Sequence, residues 1–262
     1  MADARGAEMR RLIVRKDTVQ GNRIHITDKE DITYLSVVLR MKDGEKLLVS
    51  DGEGKAWETV IDYYSREKIE LMILSEQPVT EEIKTRVTLY QGLPKGNKLE
   101  DVIRKTTELG IYRIVPLGTK RAIPDADDIS KTRIERWNRV AKEACRQSGR
   151  IYIPEICRTQ GFDETAAGLT DMAYDLILVL FELERELTLK HELQRIKEQF
   201  PNKALNIAVF VGPEGGFELR EAERLVQEGA KAVTMGENIL RTETAGPAAL
   251  AMILYELEMN GG

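Results

Sequence analysis

The chain has 262 residues, 42% hydrophobic and 32% charged, with a formal net charge of −5. That length suits one large domain or two moderate ones. No apolar run reaches the roughly 18 residues of a membrane helix, and the N-terminal MADARGAEMRRLIVRK lacks the apolar core of a signal peptide.

Residues 11–75 read as mostly strand with one helix. Short β-type runs fall at 12–14, 24–26, 47–50, 59–64 and 69–74, and Asp43-Gly44 and Asp51-Gly52 supply turns. Thr27 followed by Glu30 has the spacing of a capping box, which starts a helix over DITYLSVVL. The pattern is that of a small β-barrel, and 77–82, with Pro78 and no apolar period, reads as a linker. After residue 85 strands and helices alternate. Strands are expected at 87–91, 114–117, 176–180, 207–211 and 232–235, with helices at 98–109, 131–147, 188–199, 218–228 and 247–257. Such alternation implies an α/β fold with a mostly parallel sheet covered on both faces.

Cys145 and Cys157 lie 12 apart with no CxxC spacing. That speaks against a metal or redox site and for free thiols in a reducing cytoplasm. Charge is unevenly spread. Of 39 Lys and Arg, 14 fall between Lys95 and Arg150, against 8 of the 44 Asp and Glu, which leaves 25 against 36 elsewhere. A basic surface on an acidic protein is compatible with selective RNA contact; a solvated helix face accounts for the same charges equally well.

The richest stretch is VFVGPEGGFELREAERLVQEGAKAVTMGENILRTETA, from Val209. Two strand-loop-helix units in tandem, each with a Gly-bearing loop, are a common way for an α/β sheet to build a ligand cleft at its strand ends. Gly212, Gly215 and Gly216 admit close backbone approach to a ligand, although a tight turn alone needs the same residues. In the second loop Thr242 or Thr244 serves as a helix cap and Glu243 as a first-turn acid. Arg241 is left unexplained by capping. His25 and His191 are the two histidines, and GxSxG, HExxH, GxxxxGK[ST] and GxGxxG are all missing. Serine hydrolysis, zinc chemistry and ATP cleavage are therefore disfavoured.

GPEGGF followed by MGENILRTETA resembles the RsmE family of 16S rRNA (uracil-N3) methyltransferases, within the SPOUT superfamily. LPKGNKLEDVIRKTTELGI from Leu93, VPLGTKRAI from Val115, ERWNRVAKEACRQSGRIYIPEI from Glu135 and VLRMKDGEKLLVSDGEGKAWET from Val38 carry the same resemblance, which runs over nearly the whole chain. It implies a PUA-like RNA-binding β-barrel over 1–78 and a methyltransferase domain over 79–262 with a deep C-terminal trefoil knot, assembled as a homodimer. It also implies S-adenosyl-L-methionine held by Leu180, Phe181, Gly212, Pro213, Glu214, Gly215, Gly216, Met235, Gly236, Ile239, Leu240, Thr242 and Ala245. Lys120-Arg121-Ala122 stands where the family often has a Ser-Arg-Ser-like element.

The implied activity is methylation of N3 of a specific uridine in 16S rRNA of the small (30S) subunit, in the cytoplasm, without metal or membrane. Uracil N3 must lose its proton before it attacks a methyl group. Arg241 is the candidate to orient and polarise the base, and Glu243 the candidate proton acceptor. Arg10, Arg11 and Arg40 from the barrel and Arg121 and Arg150 from the second domain are candidate RNA contacts. Two rivals remain: the same chemistry on another RNA such as tRNA, and a non-catalytic RNA-binding or ribosome-assembly protein with a vestigial pocket.

Overall fold

A computed structural model describes residues 9–78, 84–122, 129–201 and 203–258. The expected linker lies outside them from residue 79 on. The chain divides into two compact units, Met1–Glu82 with Cys145–Ile153, and Ile83–Ala144 with Pro154–Gly262.

In the first unit β1 (Arg11–Ile13), β2 (Val19–Gln20), β3 (Arg23–Ile26), β4 (Lys46–Ser50), β5 (Ala56–Tyr64) and β6 (Ile69–Gln77) form one sheet. Its order is β1-β4-β5-β6-β3-β2. All pairs are antiparallel except β1 with β4. Period-2 alternation turns Leu12, Ile24, Ile26, Leu47, Val49, Ile69 and Leu71 into one shared core, capped by Ile32 and Leu35. Those two come from α1 (Lys29–Thr33) and the wider i→i+5 turn that follows it, Tyr34–Val38.

The helix starts one residue later than its sequence suggests. Asp28, not Thr27, is the N-cap, because its carboxylate reaches the backbone N–H groups of Glu30 (2.9 Å) and Asp31 (3.0 Å). The segment Cys145–Ile153 joins this unit through side-chain and backbone bonds. Arg146 ion-pairs with buried Asp31 and lies 4.4 Å from the Tyr34 ring, and Ile153 N–H donates to Gly52 C=O at 3.0 Å.

The second unit contains β7 (Arg86–Gly92), α2 (Lys98–Leu109), β8 (Arg113–Gly118), α3 (Lys131–Ser148, whose last turn falls in the first unit), β9 (Glu155–Ile156), β10 (Gln160–Gly161), α4 (Phe162–Ala167), β11 (Leu176–Leu180), α5 (Leu189–Gln199), β12 (Asn206–Val211), α6 (Leu219–Gln227), β13 (Lys231–Val233) and α7 (Thr242–Glu258). The strands run β10-β8-β7-β12-β11-β13, with β9 on β8, and every pair is parallel. A parallel sheet covered on both faces explains why β7 and β12 are buried almost without alternation. On one face Tyr90 stacks on Phe210 at 4.3 Å within a cluster shared by α4 and α6. On the other, α7 packs against α2 and α5.

Two boundaries differ from the sequence reading. β13 stops at Val233, so Met235 belongs wholly to the loop. α7 begins at Thr242, five residues before Pro247, which sits buried inside the helix. Proline usually opens a helix because its missing N–H is harmless there. Here tertiary bonds of Thr242 to Gln91 and Gly212 hold the turn before it.

Candidate active site

β11, β12 and β13 are parallel, and β11 lies between the other two, so their C-terminal loops emerge side by side. Together with the start of α7 they enclose a cavity of about 440 Å³. The sheet topology thus brings to one place Leu180 and Phe181 after β11, Gly212, Pro213, Glu214, Gly215 and Gly216 after β12, and Met235, Gly236, Ile239, Leu240, Arg241, Thr242, Glu243 and Ala245 after β13.

Each loop is held by identifiable bonds. After β11, Glu184 accepts from the backbone N–H groups of Arg185, Glu186 and Leu187 at 2.8–3.0 Å. The bonds from Leu187 and Glu186 pull its carboxyl below the usual carboxylate range, against the small effect of burial. After β12, Gly216 N–H closes a turn on Pro213 C=O at 2.9 Å. Gly216 has φ +67°, and a Cβ there would run into the Glu182 carboxylate. A Cβ on Gly212 would lie 2.8 Å from the backbone of Gly216. Gly212 therefore excludes a side chain; at Gly216 the left-handed backbone disfavours one and the Glu182 carboxylate would have to turn aside, whereas a Cβ on Gly215 would press on the Arg121 stem at 3.2 Å.

The third loop is tied to the second through a buried relay. Gln91 at the end of β7 is fully buried and donates from Nε2 to Thr242 Oγ1 (2.8 Å). Thr242 Oγ1 donates in turn to Gly212 C=O (2.6 Å). Thr242 is thus a cross-link between three segments rather than a helix cap. Arg241 C=O accepts from Thr244 and Ala245 N–H, both at 2.8 Å, and this starts α7 ahead of Pro247.

A charged cluster occupies one wall. Glu214 accepts from Lys98 Nζ (2.8 Å) and Lys95 N–H (3.1 Å). Burial opposes its ionisation, but these hydrogen bonds outweigh it and hold the carboxyl below the ordinary range. The bond to Glu214 also raises the Lys98 ammonium above the usual lysine value. Glu243 Oε2 stands 3.9 Å from Lys98 Nζ, buried and with no hydrogen-bond partner among the described residues. The Arg241 side chain is exposed and makes no hydrogen bond or ion pair among the described residues. Among the described residues no cluster of His, Cys, Asp and Glu could hold a metal ion, and no helix is long and apolar enough to cross a membrane.

Comparison with known proteins fits this arrangement. An RNA methyltransferase domain profile matches residues 81–254, and a profile of the RNA methyltransferase PUA domain matches 26–73. Ribosomal RNA small subunit methyltransferase E of Bacillus subtilis is 30% identical over 234 residues, 89% of this chain and 90% of that protein. The chain belongs to this RNA methyltransferase family. The Synechocystis member is 31% identical over 252 residues, covering 95% of this chain and 78% of its own length. The crystal structure of the Neisseria gonorrhoeae member, bound to S-adenosyl methionine, superposes with a TM-score of 0.77 at 28% identity, over 94% of this chain and 97% of that one.

Reading the sequence as a family member still passes over several residues of the cavity. Lys98, Glu182 and Arg185 line it, and Gln91 supports it from beneath. Lys98 lies within the PKGNK stretch, where a lysine beside a conformationally free Gly-Asn pair was a usable signal. A glutamine closing the apolar run VTLY was another. Glu182 and Arg185 had none.

The five arginines considered for RNA contact fare differently. Arg40 is exposed, at φ +52°, and Arg10 pairs with Glu45 at the surface (3.2 Å). Arg11 donates to Gly149 C=O and is half-buried. Arg121 donates to Gly215 C=O at 2.6 Å, which makes it a brace of the glycine turn. Arg150 is only 7% exposed and falls in the first unit, not the second.

Proposed function

We propose that this chain is an S-adenosylmethionine-dependent methyltransferase of small-subunit ribosomal RNA that modifies N3 of a specific uridine. The observation that carries this is the convergence of Arg241, Glu243 and the two glycine-bearing loops on one cavity, in a chain of the RNA methyltransferase family. The cavity suits the cofactor. Its volume lies in the range of small-molecule sites, Gly212 and Gly216 expose backbone where a Cβ would intrude, and Glu182, Glu214, Glu237 and Glu243 offer carboxylates to a cationic ligand. When bound, S-adenosylmethionine supplies an electrophilic methyl group.

This chain's residues do the rest. Arg241 lines the cavity, and its planar, permanently charged donors have no hydrogen-bond or ion-pair partner among the described residues, so they can grip a uracil carbonyl. Glu243, on the lining of the same cavity, is the group that would accept the N3 proton. The Gln91–Thr242–Gly212 relay anchors Thr242, which stands between them in the chain. The wider reading includes a PUA-like RNA-binding domain over 1–78, a methyltransferase domain over 79–262 whose C-terminal part forms a trefoil knot, a homodimer, and work in the cytoplasm.

Tritiated S-adenosylmethionine offered with free 16S rRNA, 30S subunits and tRNA in parallel tests the proposal. Label in small-subunit rRNA, mapped by mass to uridine N3, is the expected result. Label in tRNA alone would move the substrate, and no label anywhere would leave a binding protein.

A further inference from the structure

The wall formed by α2, the glycine turn and α7 carries a cation whose chemistry the proposed activity has yet to use. Lys98 Nζ lies 2.8 Å from Glu214 Oε1 and 3.9 Å from Glu243 Oε2, on the lining of the cavity that also holds Arg241. An ammonium has three donors, and the described residues engage one of them by hydrogen bond, the one to Glu214. Glu214 is itself pinned by Lys95 N–H, so the lysine is a placed charge rather than a mobile one. The charged groups around it are Glu214, Glu243 and Arg241. Two carboxylates keep it protonated, and the raised position of its ammonium agrees with that.

We propose that Lys98 is a second catalytic cation, donating to one carbonyl oxygen of the target uracil while Arg241 serves the other. The inference rests on the uracil-N3 reading given above. Breaking the N3–H bond spreads negative charge over N3 and the two flanking carbonyl oxygens, and one guanidinium cannot serve both flanks. In the step, the N3 proton passes to the Glu243 carboxylate, the N3 lone pair bonds to the methyl carbon, and the carbon–sulfur pair returns to sulfur. Lys98 exchanges no atom. It lowers the energy of the ring anion from a site preorganised by Glu214, the kind of donor whose loss costs on the order of 10²-fold in rate.

The test compares Lys98→Gln, Lys98→Met and Lys98→Arg with wild type on 30S subunits carrying either uridine or 5-fluorouridine, whose N3–H is more acidic. Wild-type transfer to uridine N3 comes first; its absence would sink the functional reading itself, independently of Lys98. Given that transfer, Lys98→Gln and Lys98→Met should lose about 10²-fold on ordinary particles and clearly less on fluorinated ones. Lys98→Arg should recover part of the rate. Calorimetry with S-adenosylhomocysteine shows which neutral variant keeps cofactor affinity, and that variant is the one to read. An equal loss on both particles, an unchanged rate, or loss of cofactor affinity in both neutral variants would overturn the proposal, the last assigning Lys98 to the cofactor cradle instead.

Discussion

Arg241 is exposed on the cavity lining with no partner among the described residues, while its own carbonyl starts α7. Backbone and side chain therefore have separable roles. Arg241→Ala should leave α7 and cofactor affinity intact and lower methyl transfer by about 10²–10³-fold, the usual scale for a lost charge-stabilising donor; full turnover in this variant removes Arg241 from the chemistry. Thr242 behaves in the opposite way. Its hydroxyl is buried between Gln91 Nε2 and Gly212 C=O, so Thr242→Val keeps the shape, takes the donor from Gly212 C=O and leaves Gln91 Nε2 only its bond to Gly92 C=O (3.2 Å). A loss of about 1–3 kcal/mol follows from leaving buried hydrogen-bonding capacity unmet, with weaker cofactor binding because the loops lose their cross-link; thermal melts and calorimetry read the two effects. The contrast marks what a sequence discloses. Arg241 stood out because capping could not explain it. Thr242, adjacent to it, read as a cap because local rules see only neighbours in the chain, whereas its partners lie 151 and 30 residues away.

Among the elements, the parallel sheet was legible because β7 and β12 are continuous apolar runs between helical periods. The start of α7 was not, because Pro247 masks a helix whose first turn is fixed by tertiary contacts. β9 and β10, two residues each, are too short to leave a period. The glycine loop permits a sharper test than its glycine count suggested. Gly215→Ala needs only a few tenths of an ångström of give from the Arg121 stem and should bind cofactor nearly as wild type, whereas Gly216→Ala must hold a side chain at φ +67° and turn the Glu182 carboxylate aside. The second variant should bind markedly more weakly in calorimetry, with a conformational cost of about 1–3 kcal/mol; equal affinities would show that the turn tolerates a side chain. The same loop depends on acid. Glu214 titrates below its unfolded value, so the stability it contributes is complete at neutral pH and drains away as pH falls through its lowered folded pKa. Its surface share makes that contribution small. Glu214→Gln should lessen the acid sensitivity of cofactor binding, and an identical pH profile in the variant would discount the clamp.

At the level of the whole molecule, the net charge of −5 conceals a division of labour among arginines that proximity in sequence does not predict. Arg146 and Arg150 lie in the basic stretch, yet Arg146 is spent on buried Asp31 and Arg150 is nearly inaccessible. Arg121 is committed to Gly215 C=O. What remains for phosphate is the exposed set, of which Arg40 carries a full charge with no counter-ion among the described residues, while Arg10 must leave Glu45 to engage RNA. Phosphate contacts release counterions, so each one adds to the steepness with which affinity falls as salt rises. Arg40→Gln should therefore reduce the slope of log affinity against log salt by about 1, with fold and cofactor binding untouched. Arg150→Gln should instead lower the melting temperature and leave the slope alone, because a buried guanidinium supports packing rather than RNA. Filter binding of 16S rRNA across a salt series, run beside thermal melts of both variants, separates the two outcomes. A reduced slope in Arg150→Gln with an unchanged melt would put this arginine at the RNA surface and reverse the assignment.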